Sequence, residues 1–234
     1  MPEEPADRLA IVEQILADPP VVHPMEGGVA QPRMGVWSTE PACYRFLAER
    51  CPPGTRTLET GSGLSTVLFA ALGAEHICCT AGQEEADRVL EHCRTRGIAA
   101  DRLRFEVGSS HHTLPPLEAA GTTRDIVLID GSHAFPLPAV DWFYAAALLD
   151  AGGTLVVDDV NLPAVHVLVR FLDADPRWRP LAGSAKWKAW ARTTSGTLSE
   201  DWTEQPFYRR PKDKLLAPVR KVTGKVRHEL SRRR

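Results

Sequence analysis

From Thr55 onward the apolar positions of this chain fall into short runs that alternate with segments of helical periodicity. The runs at 56–59, 76–80, 103–107, 125–130 and 154–157 predict strands. The segments at 64–72, 84–96, near 113–120, 138–149 and 162–172 predict helices. Short strands that are apolar on both faces, each followed by a helix, imply a parallel sheet covered on both sides. Five such units predict an α/β fold, a single domain built on a doubly wound sheet. The pattern changes at the end, where 178–182 and 187–193, joined by Gly183-Ser184-Ala185, read as a β-hairpin at the sheet edge.

Upstream, Leu9, Val12, Ile15 and Leu16 share one face of a predicted helix over 6–17. Residues 18–37 are rich in Pro and Gly and read as an irregular arm. Ser38 or Thr39 is placed to cap a second helix that has Pro41 in its first turn and runs to about Arg50. Pro52-Pro53-Gly54 ends that element. Three segments follow: 1–54, N-terminal helices and arm; 55–193, the strand–helix domain; 194–234, a C-terminal extension.

The first predicted strand runs into Glu59-Thr60-Gly61-Ser62-Gly63-Leu64-Ser65-Thr66. Two glycines one residue apart allow a sharp strand-to-helix turn and close approach of a ligand to the main chain. The chemistry differs from a dinucleotide site. Glu59 would repel a pyrophosphate, and Thr66 stands where the third glycine of G-x-G-x-x-G belongs. A ligand with a nucleoside and a cationic tail fits better, and S-adenosylmethionine is of that kind.

In an open parallel sheet, ligands bind beyond the carboxyl ends of the strands. Ser109 follows the third strand, Asp130-Gly131-Ser132-His133 ends the fourth, and Asp158-Asp159 ends the fifth. Adjacent strands lie about 4.8 Å apart, so Asp130, Asp158 and Asp159 can share one site. A hard divalent cation such as Mg²⁺ relieves the repulsion among such carboxylates. The competing reading has Asp159 or Asn161 capping the next helix and Asp130 capping the next turn. Alternation along a strand sends Asp158 and Asp159 to opposite faces, so they converge only where the strand gives way to the loop. His133 is the candidate base, because an imidazole accepts a proton near neutral pH. His111 and His112 read as structural, and Trp37 and Trp142 are the tryptophans best placed to line a substrate pocket.

Taken together, Glu-x-Gly-x-Gly, Asp125-Ile-Val-Leu-Ile-Asp130-Gly-Ser-His133 and Gly152-Gly-Thr-Leu-Val-Val-Asp158-Asp159 resemble the class I S-adenosylmethionine-dependent methyltransferases. The nearest subgroup is the metal-dependent bacterial small-molecule and sugar O-methyltransferases, similar in layout to catechol and macrocin O-methyltransferases. The resemblance covers about residues 37 to 192. It implies a Rossmann-like sheet of seven strands, mostly parallel, with an antiparallel edge. It also implies a cofactor site at Glu59, Gly61, Ser62, Gly63, Ser65, Ser109 and Asp130. Asp130, Asp158 and Asp159 match its Mg²⁺ ligands, and Asp130 and His133 its catalytic positions. Two positions depart from the pattern. The second strand ends in Cys79-Thr80-Ala81-Gly82 rather than in an acid for the ribose, so Glu84 or Glu85 serves only if the loop folds back. Ser109 stands where an Asp commonly meets the adenine amine.

Composition narrows the rest. With 43% hydrophobic and 25% charged residues, the chain reads as an ordinary globular protein. Its N-terminus shows no secretory pattern, and its five cysteines contain no C-x-x-C pair, so a cytoplasmic setting is expected. The net charge of −2 conceals a basic tail: residues 207–234 hold eleven Lys or Arg against Asp213 and Glu229. Such a tail suits an anionic membrane face, with nucleic acid a weaker partner. The reading is Mg²⁺-assisted O-methylation of a small-molecule hydroxyl. The alternatives are an RNA methyltransferase guided by the tail, or a binding subunit that has lost catalysis. Against the RNA reading, the fourth strand ends in Ile-Asp-Gly-Ser-His rather than [ND]-Pro-Pro-[FY].

Overall fold

The computed structural model describes residues 4–25, 33–194, 203 and 205–208. The chain divides into two units, Met1–Gly196 and Thr197–Arg234. In the second, a 3₁₀ turn, Pro206–Tyr208, is described. The basic tail beyond it lies outside the described residues.

In the first unit, α1 (Pro5–Ala17) and α2 (Pro41–Arg50) flank a two-stranded antiparallel ribbon, β1 (His23–Met25) and β2 (Arg33–Gly35). The segment read as an irregular arm therefore contains paired strands. Both helices begin at a proline, whose missing N–H costs nothing in the first turn. Neither Ser38 nor Thr39 caps α2: Glu40 holds that place with no side-chain bond. Arg8 ties the two helices by donating from Nε to the Ala48 carbonyl at 2.8 Å.

The strand–helix domain follows as β3 (Arg56–Thr60), α3 (Leu64–Ala71), β4 (Glu75–Thr80), α4 (Gln83–Thr95), β5 (Leu103–Val107), α5 (Ser110–Ala119), β6 (Arg124–Ile129), α6 (Leu137–Ala147), β7 (Leu149–Val157), α7 (Pro163–Ala174), β8 (Trp178–Gly183) and β9 (Lys188–Arg192). The seven strands of the sheet are ordered β5-β4-β3-β6-β7-β9-β8, parallel through β7 and antiparallel at β9 and β8. This is the expected Rossmann-like sheet with an antiparallel edge. One departure is at 149–153: the helical pattern runs to 149, yet Leu149 already pairs with Arg124 as strand.

Apolar residues fill both faces of the sheet. Leu47, Leu68, Phe69, Leu72 and Val89 pack on the side of α1 to α4. Leu114, Ala145, Leu168, Leu172 and Trp190 pack on the side of α5 to α7. Strand order reverses at β3, which lies between β4 and β6. A doubly wound sheet opens its crevice there, beyond the carboxyl ends of the strands. The register sets the rim: Thr60 pairs with Ile129 and Ile129 with Val157, so Asp130 and Asp158 leave neighbouring strands side by side.

Candidate active site

The turn after β3 is built around steric exclusion. Gly61 has φ +86°, and a Cβ there would stand 2.2 Å from the Asp130 carbonyl oxygen. Its N–H donates to the Cys79 carbonyl at 2.9 Å. Gly63 faces the arm, where a Cβ would come 3.3 Å from Val36 Cγ2 and 3.8 Å from the His23 ring. The glycine turn is thus clamped between the tip of β6 and the arm. Thr66 closes it from below, accepting the Gly63 N–H at 2.9 Å and donating its hydroxyl to Glu59. The residue in place of the third glycine locks the turn.

A cavity of about 670 Å³ opens above this turn. That lies within the range of small-molecule sites. Gly61, Ser62, Ala81, Glu85 and Ser109 line it together with Asp130, His133, Asp158, Asp159 and Lys186, and His23 and Trp37 are also in its wall. Trp37 stacks on His23 with ring centroids 5.0 Å apart.

Of the residues expected to hold cofactor, Gly61, Ser62, Ser109 and Asp130 line the cavity. Glu59, Gly63 and Ser65 do not. Glu59 is fully buried beneath the turn, bonded by Thr66 and facing His76 Nε2 at 3.0 Å, which in turn meets Thr57 through Nδ1 at 2.7 Å. Ser65 is buried in the first turn of α3. Trp142 packs against Phe171 and Trp178 in place of lining the pocket.

Of the two acids offered in place of one at the end of β4, Glu85, on α4, is the one that lines the cavity. Its Oε2 accepts the Thr80 hydroxyl at 2.6 Å and the Ser62 hydroxyl at 3.1 Å. Ser109 Oγ is engaged with His111 Nδ1 at 2.7 Å.

At the acidic end, Asp159 adopts φ +51°, an uncommon conformation for a residue with a Cβ. The left-handed step breaks strand alternation and lets two consecutive acids face one rim. Neither Asp159 nor Asn161 caps α7, whose N-cap is Leu162 without a side-chain bond, and Asp130 is not the N-cap of α6, which is Pro136. The capping alternative is therefore not what the structure shows. Ligand-capable atoms of Asp130, His133 and Asp159 all lie within 4.8 Å of one another. Asp158 is engaged elsewhere: Oδ1 accepts the Thr39 hydroxyl at 2.5 Å, and Oδ2 lies 3.7 Å from Lys186 Nζ. His133 Nε2 stands 3.2 Å from Asp159 Oδ2 but makes no aligned hydrogen bond. Burial, then the charges of Asp158, Glu59 and Asp159, push the Asp130 carboxyl well above its ordinary range. Burial raises Asp158 as well, against the Thr39 bond and the Lys186 charge. Burial works against the Lys186 ammonium, but Asp158 and Asp159 hold its pKa above the usual value.

The sequence offered Thr39 only as a helix cap, and Lys186 carried no motif. Nor did Asp141, on α6, which is fully buried with neither oxygen bonded and with its carboxyl raised by burial. Its Oδ2 would lie 3.3 Å from a Cβ at Gly131, beneath the loop that carries His133.

Residues 58–160 match the family model described as a methyltransferase domain. No curated protein matches the sequence. Among solved structures, an O-methyltransferase from Bacillus cereus in complex with SAH is similar at 21% identity, over 80% of this chain and 91% of that one, with a TM-score of 0.53. Cofactor-bound Rv0187 from MTB is similar at 21% identity, over 82% and 89%, with a TM-score of 0.54. TomG from Streptomyces achromogenes, an O-methyltransferase in complex with SAM, is similar at 18% identity, over 63% and 77%, with a TM-score of 0.53. At these identities the solved structures speak for the fold. The family match covers the segment that builds the glycine turn and both acidic strand tips, and over those residues this chain is similar to a methyltransferase domain.

Proposed function

We propose that this enzyme methylates a hydroxyl of a small molecule. One observation carries the reading: the glycine turn and the acid–imidazole cluster line one continuous cavity, so a cofactor on the turn and an acceptor at the rim would meet inside it. S-adenosylmethionine, when bound, supplies the electrophilic methyl group. The chain supplies position and proton management. Ser62 and Glu85 would hold the ribose hydroxyls, and the turn after β5 would face the base. Trp37, 61% exposed at the cavity wall, offers a flat apolar face to the acceptor.

His133 would take the acceptor proton. Asp159 beside Nε2 favours the tautomer with its proton there, leaving Nδ1 as the accepting atom. A divalent cation would be held by Asp130 and Asp159, whose oxygens converge, and would supply Lewis acidity to the acceptor oxygen. Mg²⁺ prefers oxygen donors and leaves the imidazole free, whereas a softer ion would take His133 as well. Asp158, bonded by Thr39 and 3.7 Å from Lys186, lies outside this convergent set.

Calorimetry with S-adenosylmethionine, followed by transfer of a labelled methyl group to a panel of phenols, sugars and amines, tests the reading. Methylated hydroxyls support it. Cofactor binding with labelled amines alone would overturn the acceptor class. No helix among the described residues is long and apolar enough to cross a membrane. For the basic tail we propose adsorption to an anionic lipid surface, on the strength of its charge.

A further inference from the structure

Lys186 sits in the turn between β8 and β9, far in sequence from every motif. Its backbone is fastened on both sides. The N–H donates to Ser184 Oγ at 2.9 Å, and the carbonyl accepts the Val160 N–H at 2.8 Å. The hairpin turn is thereby stapled to the loop that carries Asp158 and Asp159. From that anchor the ammonium reaches three oxygens: Asp159 Oδ1 at 3.2 Å, Asp158 Oδ2 at 3.7 Å and the Ser38 carbonyl at 3.2 Å. An ammonium has three N–H donors, and three acceptors surround this one. With Thr39 on Asp158 Oδ1, both oxygens of Asp158 face donors of the chain itself.

We propose that Lys186 is the resident cation of the acidic rim and sets its affinity for divalent metal. The ammonium and a divalent ion exclude each other from the Asp158–Asp159 corner. Carboxylate lone pairs facing the ammonium are not offered to a metal, and two cations a few ångströms apart repel strongly in a partly buried site. A metal therefore binds only as the lysine side chain withdraws, and Lys186 tunes how far methyl transfer depends on it. The proposal rests on Asp130 and Asp159 being cation-holding groups.

The test reads Mn²⁺ binding to the full chain by electron paramagnetic resonance, with calorimetric S-adenosylmethionine binding as the check on folding. Lys186→Met should bind Mn²⁺ about tenfold or more tightly than the unaltered chain, the scale on which groups around metal ligands act. Lys186→Arg, which keeps the charge, should not. Adding Asp159→Asn to Lys186→Met should abolish the gain. Lys188→Met removes the same charge from the same hairpin, where it pairs with Asp173 at 2.8 Å, and should leave Mn²⁺ binding within about twofold. Equal affinity in the unaltered chain and Lys186→Met, no Mn²⁺ binding by either, or an equal gain in Lys188→Met would each overturn the proposal. Tightened Mn²⁺ binding in a protein that methylates no hydroxyl would support this inference and sink the proposed function instead.

Discussion

The hydroxyl of Thr39 donates to Asp158 Oδ1 at 2.5 Å, joining residues 119 positions apart in sequence. Thr39 lies just before α2, and Asp158 follows β7. The bond holds the N-terminal segment onto the acidic rim and satisfies a carboxylate that is only 2% exposed. Thr39→Val keeps the shape and removes the donor, which should cost about 1–3 kcal/mol of stability, the range for an unsatisfied buried group. Thr39→Ser should recover most of it. Thermal unfolding decides: equal midpoints for the Val and Ser variants would show that the bond does not matter.

The sequence gives Gly61 a role in the close approach of a ligand to the main chain. The structure gives another reason for glycine there, since a Cβ would strike the Asp130 carbonyl oxygen at 2.2 Å. Gly61→Ala should therefore destabilise the protein itself, by about 2 kcal/mol or more, in the absence of any ligand. Gly82 has nothing within 4 Å of its Cβ position, and its φ is −142°. Gly82→Ala should be tolerated. A Gly61→Ala protein that melts with the parent and loses only cofactor binding would contradict this account.

Glu85 is placed to replace the acid absent from the end of β4. Glu85→Ala should weaken S-adenosylmethionine binding by about 1.5–3 kcal/mol, the range for hydrogen bonds to a charged group. Calorimetry on Glu85→Ala and Glu84→Ala separates the two neighbours. Glu84 pairs with Arg88 at 2.7 Å on an exposed face and should be near-neutral. A larger loss at Glu84 than at Glu85 would reverse the assignment.

Burial raises the carboxyls of Asp130, Asp158 and Asp141 above their ordinary values, with neighbouring acids adding to the effect at Asp130. A carboxyl raised on folding favours the native state while protonated, and that contribution is lost as pH climbs through the folded pKa. Without divalent ions, as pH rises from about 4 through neutrality, the unaltered chain should lose stability relative to Asp130→Asn. At neutral pH the variant should be the more stable of the two. Melting curves that stay parallel across that window would show that Asp130 is not the strained group.

Truncation after Pro206 removes a segment with a net charge of +9. S-adenosylmethionine binding and turnover on a dissolved acceptor should survive, while adsorption to anionic vesicles should fall. Adsorption by the full chain should weaken with salt, since charge attraction is screened within about 8 Å at physiological ionic strength. Loss of turnover on truncation would make the extension part of the catalytic unit. RNA binding with a steep salt slope and no vesicle binding would transfer the role to nucleic acid.

The sequence by itself determined the architecture around residues 55–193. The alternation of strands and helices, the edge hairpin and the placing of Asp130 and Asp158 at strand ends follow from local periodicity and from strand ends marked by glycines and acids. Those signals are short-range, because a strand's apolar run and its terminating turn are contiguous in the chain. The tertiary structure decided what each marked residue faces. Glu59 and Ser65 carry a motif yet lie buried beneath the turn, since packing of α3 on β3 and β4 hides them. Asp159 shares a rim with Asp158 only because of a left-handed step that no periodicity reveals. Glu85 and Lys186 reach the cavity from a helix and an edge hairpin, Thr39 reaches Asp158 from the segment before α2, and sequence spacing carries no information about contacts across 23, 119 or 27 positions. Where the sites come from distant segments, the fold alone brings their charges and donors together.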